Sequence, residues 1–96
     1  MGSIVDIIVK EASKDLFRLF TRSYVRLDKA LEFGHQRWKY IDKVMLEMEG
    51  EEVKQWWIKL SRNQPYKSLL RRKIWERFTQ ILTVKMRQER ESKREK

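Results

Sequence analysis

Apolar residues along this chain recur at the three-and-four spacing of amphipathic helices, and no stretch alternates with the period of two that a half-buried strand needs. In the first third the stripe runs Val5, Val9, Ala12, Leu16, Phe20, Leu27 and Leu31. Ser3, with Asp6 three residues on, has the form of a capping box. Gly34 is a natural left-handed stop. The spacing therefore predicts a first helix over about residues 4–33. At 1.5 Å per residue it would be on the order of 45 Å long, whereas a compact chain of this size has a radius of gyration of about 13 Å. Such a helix overhangs its own domain unless it kinks or a second chain covers it. Its length argues for a homodimer or higher oligomer.

A second stripe, Trp38, Ile41, Met45 and Met48, predicts a helix over about residues 36–49. The acidic run Glu47-Met48-Glu49-Gly50-Glu51-Glu52 follows, and Gly50 can end that helix while Glu51 and Glu52 suit the first turn of another over 51–61. A continuous helix through Gly50 is the alternative, because Val53, Trp56 and Leu60 carry the stripe onward. Ser61-Arg62-Asn63-Gln64 reads as a turn, and Pro65 fits the first position of a final helix over 65–87. Residues 88–96 hold no apolar side chain and form a charged tail, either solvated helix or disordered. The expected class is all-α: a small bundle of three or four helices with a long N-terminal helix, no β-sheet, and one domain over residues 1–87.

Composition narrows the class further. A chain of 96 residues is too short for two independent cores. Its 41% hydrophobic and 11% aromatic content excludes disorder throughout. Its 39% charged content exceeds the usual level of about 25%, so the core is thin and much helix surface is polar. There are no cysteines, which excludes disulfides, thiolate catalysis and Cys-built zinc sites and fits a reducing, cytoplasmic compartment. No apolar run approaches the roughly 18 residues that span a bilayer, and no signal-peptide core is visible. The chain is therefore expected to be neither transmembrane nor secreted. Gly2 stands where myristoylation needs it, but Asp6 replaces the favoured Ser or Thr, which argues against a lipid anchor.

The net charge of +9 is uneven. Residues 1–61 carry 11 Lys and Arg against 10 Asp and Glu, whereas residues 62–96 carry 12 against 4. Such asymmetry points to a polyanionic partner. On the final helix Leu70, Ile74, Trp75, Phe78, Ile81 and Leu82 share one arc, the core side. Arg72, Lys73, Arg77 and Arg87 lie opposite, beside Glu76, Gln80 and Thr83. Arg71 projects within the apolar arc, where it either snorkels or meets an acid such as Glu51 or Glu52. On the first helix Lys10, Lys14, Arg18, Arg22 and Arg26 recur every four residues, about 6 Å apart. That ridge could track a phosphate backbone as a second basic surface. The plainer reading is a solvated face on which Glu11 and Asp15 pair with Lys14 and Arg18.

Three functions compete. Nucleic-acid binding, to DNA or RNA, is the first. Val53–Leu60, a short turn and a second helix have helix-turn-helix dimensions over residues 53–77. Gln64, Tyr66, Lys67, Ser68 and Arg71 would then open the recognition helix, with Arg72, Lys73 and Arg77 contacting phosphates or base edges and Lys67 and Arg87 behind them. The turn lacks the frequent glycine, and any bundle contains helices joined by short turns. Backbone binding without base reading needs only the basic final third. An anionic membrane surface ranks below this, because the apolar stripe it would consume is needed as core. A helical assembly or adaptor module with no nucleic-acid role is the alternative. Trp56 and Trp57 point about 100° apart, which suits one to the core and the other either to an interface or to the core as well, with Trp38 as a further interface candidate. Catalysis has little support: His35 is the sole histidine, follows Gly34, and has no nucleophile beside it. Glu47, Glu49, Glu51 and Glu52 lack the spaced oxygen ligands of a cation loop. The expectation is a non-enzyme with no metal, cofactor or small-molecule substrate.

Overall fold

The Ser3 amide donates to Asp6 Oδ2 and the Asp6 amide donates to Ser3 Oγ, each at 3.2 Å. This reciprocal capping box satisfies two otherwise orphaned donors and starts α1, Ile4–Arg22. The computed structural model describes residues 3–22 and 37–94. Among them are α2 (Arg37–Glu47), α3 (Glu51–Lys59), a 3-10 turn (Leu60–Arg62) and α4 (Gln64–Arg94), and no strand. The architecture is the expected all-α bundle. The expected continuation of the first helix to residue 33, with Leu27, Leu31, Arg26, Gly34 and His35, lies outside the described residues.

The stripes read from the sequence form the core. α1 buries Val9, Ala12, Leu16 and Phe20; α2 buries Ile41, Val44 and Met45; α3 buries Trp57; α4 buries Leu70, Ile74, Phe78 and Leu82. α1 lies along α4 and also meets α2, which in turn carries α3. Ser13, fully buried on α1, donates to the carbonyl oxygens of Val9 at 2.9 Å and Lys10 at 2.8 Å. Its hydroxyl is thereby satisfied within its own helix, and with Ala12 it keeps the buried face of α1 small. An aromatic seam ties three helices together. Phe20 stacks on Phe78 with centroids 5.2 Å apart and tilts against Tyr40 at 5.1 Å, while Trp75 meets Phe78 at 5.1 Å. Tilted and offset rings of this kind add to the burial of their area.

Gly50 has φ +104 and ψ 167 and separates α2 from α3. Few residues other than glycine adopt that conformation, so the alternative of one continuous helix is excluded. Glu51 and Glu52 occupy the first turn of α3, where negative charge complements the helix dipole. α4 begins one residue before Pro65, with Asn63 Oδ1 accepting the Tyr66 amide at 3.4 Å. Pro65 then falls in the first turn, where its missing N–H leaves no bond unmade. With 31 residues α4 is the longest described helix, about 46 Å at 1.5 Å per residue. Its buried residues end at Leu82; Met86 is half-buried, and residues 87–92 are exposed helix. The described part of the charged tail is thus solvated helix.

Candidate nucleic-acid interface

The basic residues of α4 divide into two populations. Lys67 and Arg71 point inward. Arg71 Nη2 lies 3.0 Å from Asp42 Oδ2 and 3.1 Å from Oδ1, and Arg71 Nε reaches Oδ1 at 3.2 Å. Asp42 Oδ1 also accepts the indole N–H of the buried Trp57 at 3.0 Å. The guanidinium carbon of Arg71 lies 5.6 Å from the Trp57 ring, and Lys67 Nζ lies 4.8 Å from it. Lys67 is only 6% exposed and donates to Ser61 Oγ at 2.9 Å. Burial lowers the Lys67 pKa, with the positive charge of Arg71 adding to the effect and Asp42 opposing it. The cluster is a polar latch between α2, α3, the 3-10 turn and α4.

This placement corrects two expectations. Lys67 and Arg71, read as phosphate contacts, have their cationic heads engaged within the fold. The acid that meets Arg71 is Asp42, not Glu51 or Glu52; both of those are exposed, and Glu51 Oε1 accepts from Gln55 at 2.9 Å. Sequence reasoning passed over Asp42. Its signal was its position four residues after Trp38 and three before Met45, at the edge of the core face of α2.

The second population faces water. Arg72, Lys73, Arg77 and Arg87 are exposed, as are Lys85 and Arg90, which the sequence reading did not single out. None of these six is held in an ion pair with a described residue. Glu76 and Gln80 lie on the same side, and a shallow cleft of about 220 Å³ runs between Lys73, Arg77 and the start of α1 at Asp6 and Val9.

The helix-turn-helix geometry gains no support. α3 packs on α2 and α4 along α1. The α3–α4 junction is made by the 3-10 turn and by Trp57 with Lys67 and Arg71, the residues that would have opened a recognition helix.

The α1 ridge is largely neutralised. Lys14 pairs with Glu11 at 3.7 Å and Arg18 with Asp15 at 2.7 Å, as the solvated-face reading expects, while Lys10 is exposed. The Arg22 side chain and Arg26 lie outside the described residues. Asp15 also faces Glu49, whose Oε1 is buried without a hydrogen-bond partner. Burial first, then the hydrogen bond and charge of Asp15 and the charge of Glu11, push the Glu49 carboxyl up from 4.5 to about 8, with Arg18 pulling the other way. Among the described residues no three acids or histidines gather as a metal site.

Of the tryptophans, Trp57 is core and Trp56 is half-buried, their rings 6.2 Å apart. Trp56 lines an open groove of about 320 Å³ with Ile4, Val5, Ile8, Glu52 and Val53. Trp38 is half-buried against the core. The apolar stripe of α4 as far as Leu82 packs in the bundle core, and no described helix is long and apolar enough to cross a membrane. Comparison with protein-family models, curated protein sequences and solved structures finds no match for this chain.

Proposed function

We propose that this protein is a non-enzymatic nucleic-acid binder that acts through phosphate contacts made by the outward face of α4. The observation that carries the reading is the set of five exposed cations there, Arg72, Lys73, Arg77, Arg87 and Arg90, without carboxylate partners among the described residues. A cation already paired gains little from a phosphate, whereas an unpaired one releases the phosphate's condensed counterions. Lys67 and Arg71 contribute by fixing the helix rather than by contact.

Titration of short DNA and RNA, duplex and single-stranded, across a salt series tests the proposal. Log K should fall steeply with log salt, and Arg72→Ala with Arg77→Ala should flatten the slope by about 1.8 for duplex DNA, about 0.9 per contact. Absence of binding to any of them at about 50 mM salt would sink it.

The alternative of an assembly module draws on a separate observation. Ile4, which lines the Trp56 groove, is 76% exposed, and Ile7 on the same helix is 57% exposed. The length argument for self-association now attaches to α4, whose last turns extend beyond the core. Light scattering decides this reading, and a monomer mass at high concentration would overturn it.

A further inference from the structure

The outward face of α4 has an internal order. Arg72, Lys73 and Arg77 form one cationic cluster and Arg87 with Arg90 a second. Between them the exposed residues of that face are Gln80, Thr83 and Val84, none charged. Lys85 also falls in the interval but lies about 160° round the helix from Arg87. The gap from Arg77 to Arg87 is ten residues, about 15 Å along the axis. The major groove of B-DNA is about 12 Å wide and is bounded by the phosphates of both strands. The charged clusters and neutral interval thus match the two ridges and the opening of that groove. The narrow, deep major groove of A-form RNA offers no such opening.

A second observation is independent of spacing. Proteins that hold single strands do so by stacking bases on exposed aromatic rings. Every aromatic side chain whose burial is described is buried or half-buried. On α4, Trp75 and Phe78 are turned to the core and against each other, 5.1 Å between centroids. The outward face offers cations, the carboxylates of Glu76 and Glu91, and small polar groups, with no platform for a base.

We infer that the partner is double-stranded DNA, with α4 laid across the major groove. Arg72, Lys73 and Arg77 meet the phosphates of one strand, and Arg87 and Arg90 those of the other. Gln80 and Thr83 face the groove floor. This rests on the phosphate-binding reading above and adds the form of nucleic acid to it. The solvated turns of α4 beyond Leu82 let a duplex approach without displacing any packed element.

Fluorescence anisotropy with the full chain tests it, using a DNA duplex, the RNA duplex of the same sequence and one DNA strand of equal length. The DNA duplex should bind about tenfold tighter than either alternative at the same salt. Its log–log salt slope should lie near −4.5, from five contacts at about 0.9 each. Removing Arg87 and Arg90 together should cost the duplex about 1.8 of that slope. Equal or tighter binding of the RNA duplex or the single strand overturns this inference and leaves phosphate binding intact. Failure of all three probes to bind overturns both. Circular dichroism of the Arg87→Ala/Arg90→Ala variant checks that lost affinity is not lost helix.

Discussion

Asp42 on α2 holds Arg71 on α4 through both carboxylate oxygens and takes the indole N–H of Trp57 on α3 at the same time. One carboxylate therefore sets the relation of three helices. Its removal leaves a guanidinium, 16% exposed, and an indole N–H without their acceptor. Asp42→Ala should lower stability by about 2–3 kcal/mol, read from urea unfolding followed by tryptophan fluorescence. Arg71→Met added to Asp42→Ala should cost less than the sum of the two single changes by about 1 kcal/mol or more. Simple additivity would show that the pair is not coupled.

The same latch predicts a division of effects on binding. Lys67→Met and Arg71→Met should leave the salt slope for DNA unchanged, because neither head group faces outward. Arg72→Ala and Arg77→Ala should change the slope while leaving the urea midpoint within about 0.5 kcal/mol of the parent. A change of slope in the Lys67 variant would overturn the division.

Gly50 offers a test of the break between α2 and α3. A methyl group there would meet nothing within 4 Å, so any cost of Gly50→Ala comes from the backbone conformation at φ +104. That cost should be about 2 kcal/mol. An unchanged midpoint would mean that the α2–α3 turn tolerates a different path.

Glu49 makes stability depend on pH. Its carboxyl titrates near 8 in the fold and near 4.5 when unperturbed, so between those values the folded chain binds the proton more tightly. Stability should accordingly fall as pH rises from about 4.5 to 8 and level off above that. The side chain is half-buried, and with solvent screening the loss should be about 1 kcal/mol. Glu49→Gln should abolish this slope and exceed the parent's stability at pH 9, compared by urea midpoints at pH 5 and pH 9.

What the residues disclosed in advance was local. The stripes Val9–Phe20 and Leu70–Leu82, the Ser3–Asp6 cap, the Glu11–Lys14 and Asp15–Arg18 pairs and the break at Gly50 all depend on neighbours within one helix turn or on a single backbone angle. Arg71 and Asp42 are 29 residues apart, and helical periodicity states which face a residue occupies without naming what lies opposite. Lys67 was open to better reading. It stands three residues before Leu70 and seven before Ile74, on the buried stripe itself. Its charge suggested solvent, and the ring of Trp57 with the hydroxyl of Ser61 made burial tolerable.

α4 draws on the core for only part of its length. A free-standing helix of fewer than about 12–15 residues is marginal in water, and the turns after Leu82 approach that condition. Amide hydrogens along this one helix should therefore exchange on two scales: those around Leu70–Leu82 only with global unfolding, those beyond Met86 by fraying. A duplex seated on Arg87 and Arg90 would slow the second class directly, by suppressing fraying, and the first only through its stabilisation of the folded state. The gradient of deuterium uptake along α4 thus reports occupancy of the basic face without any label or substitution.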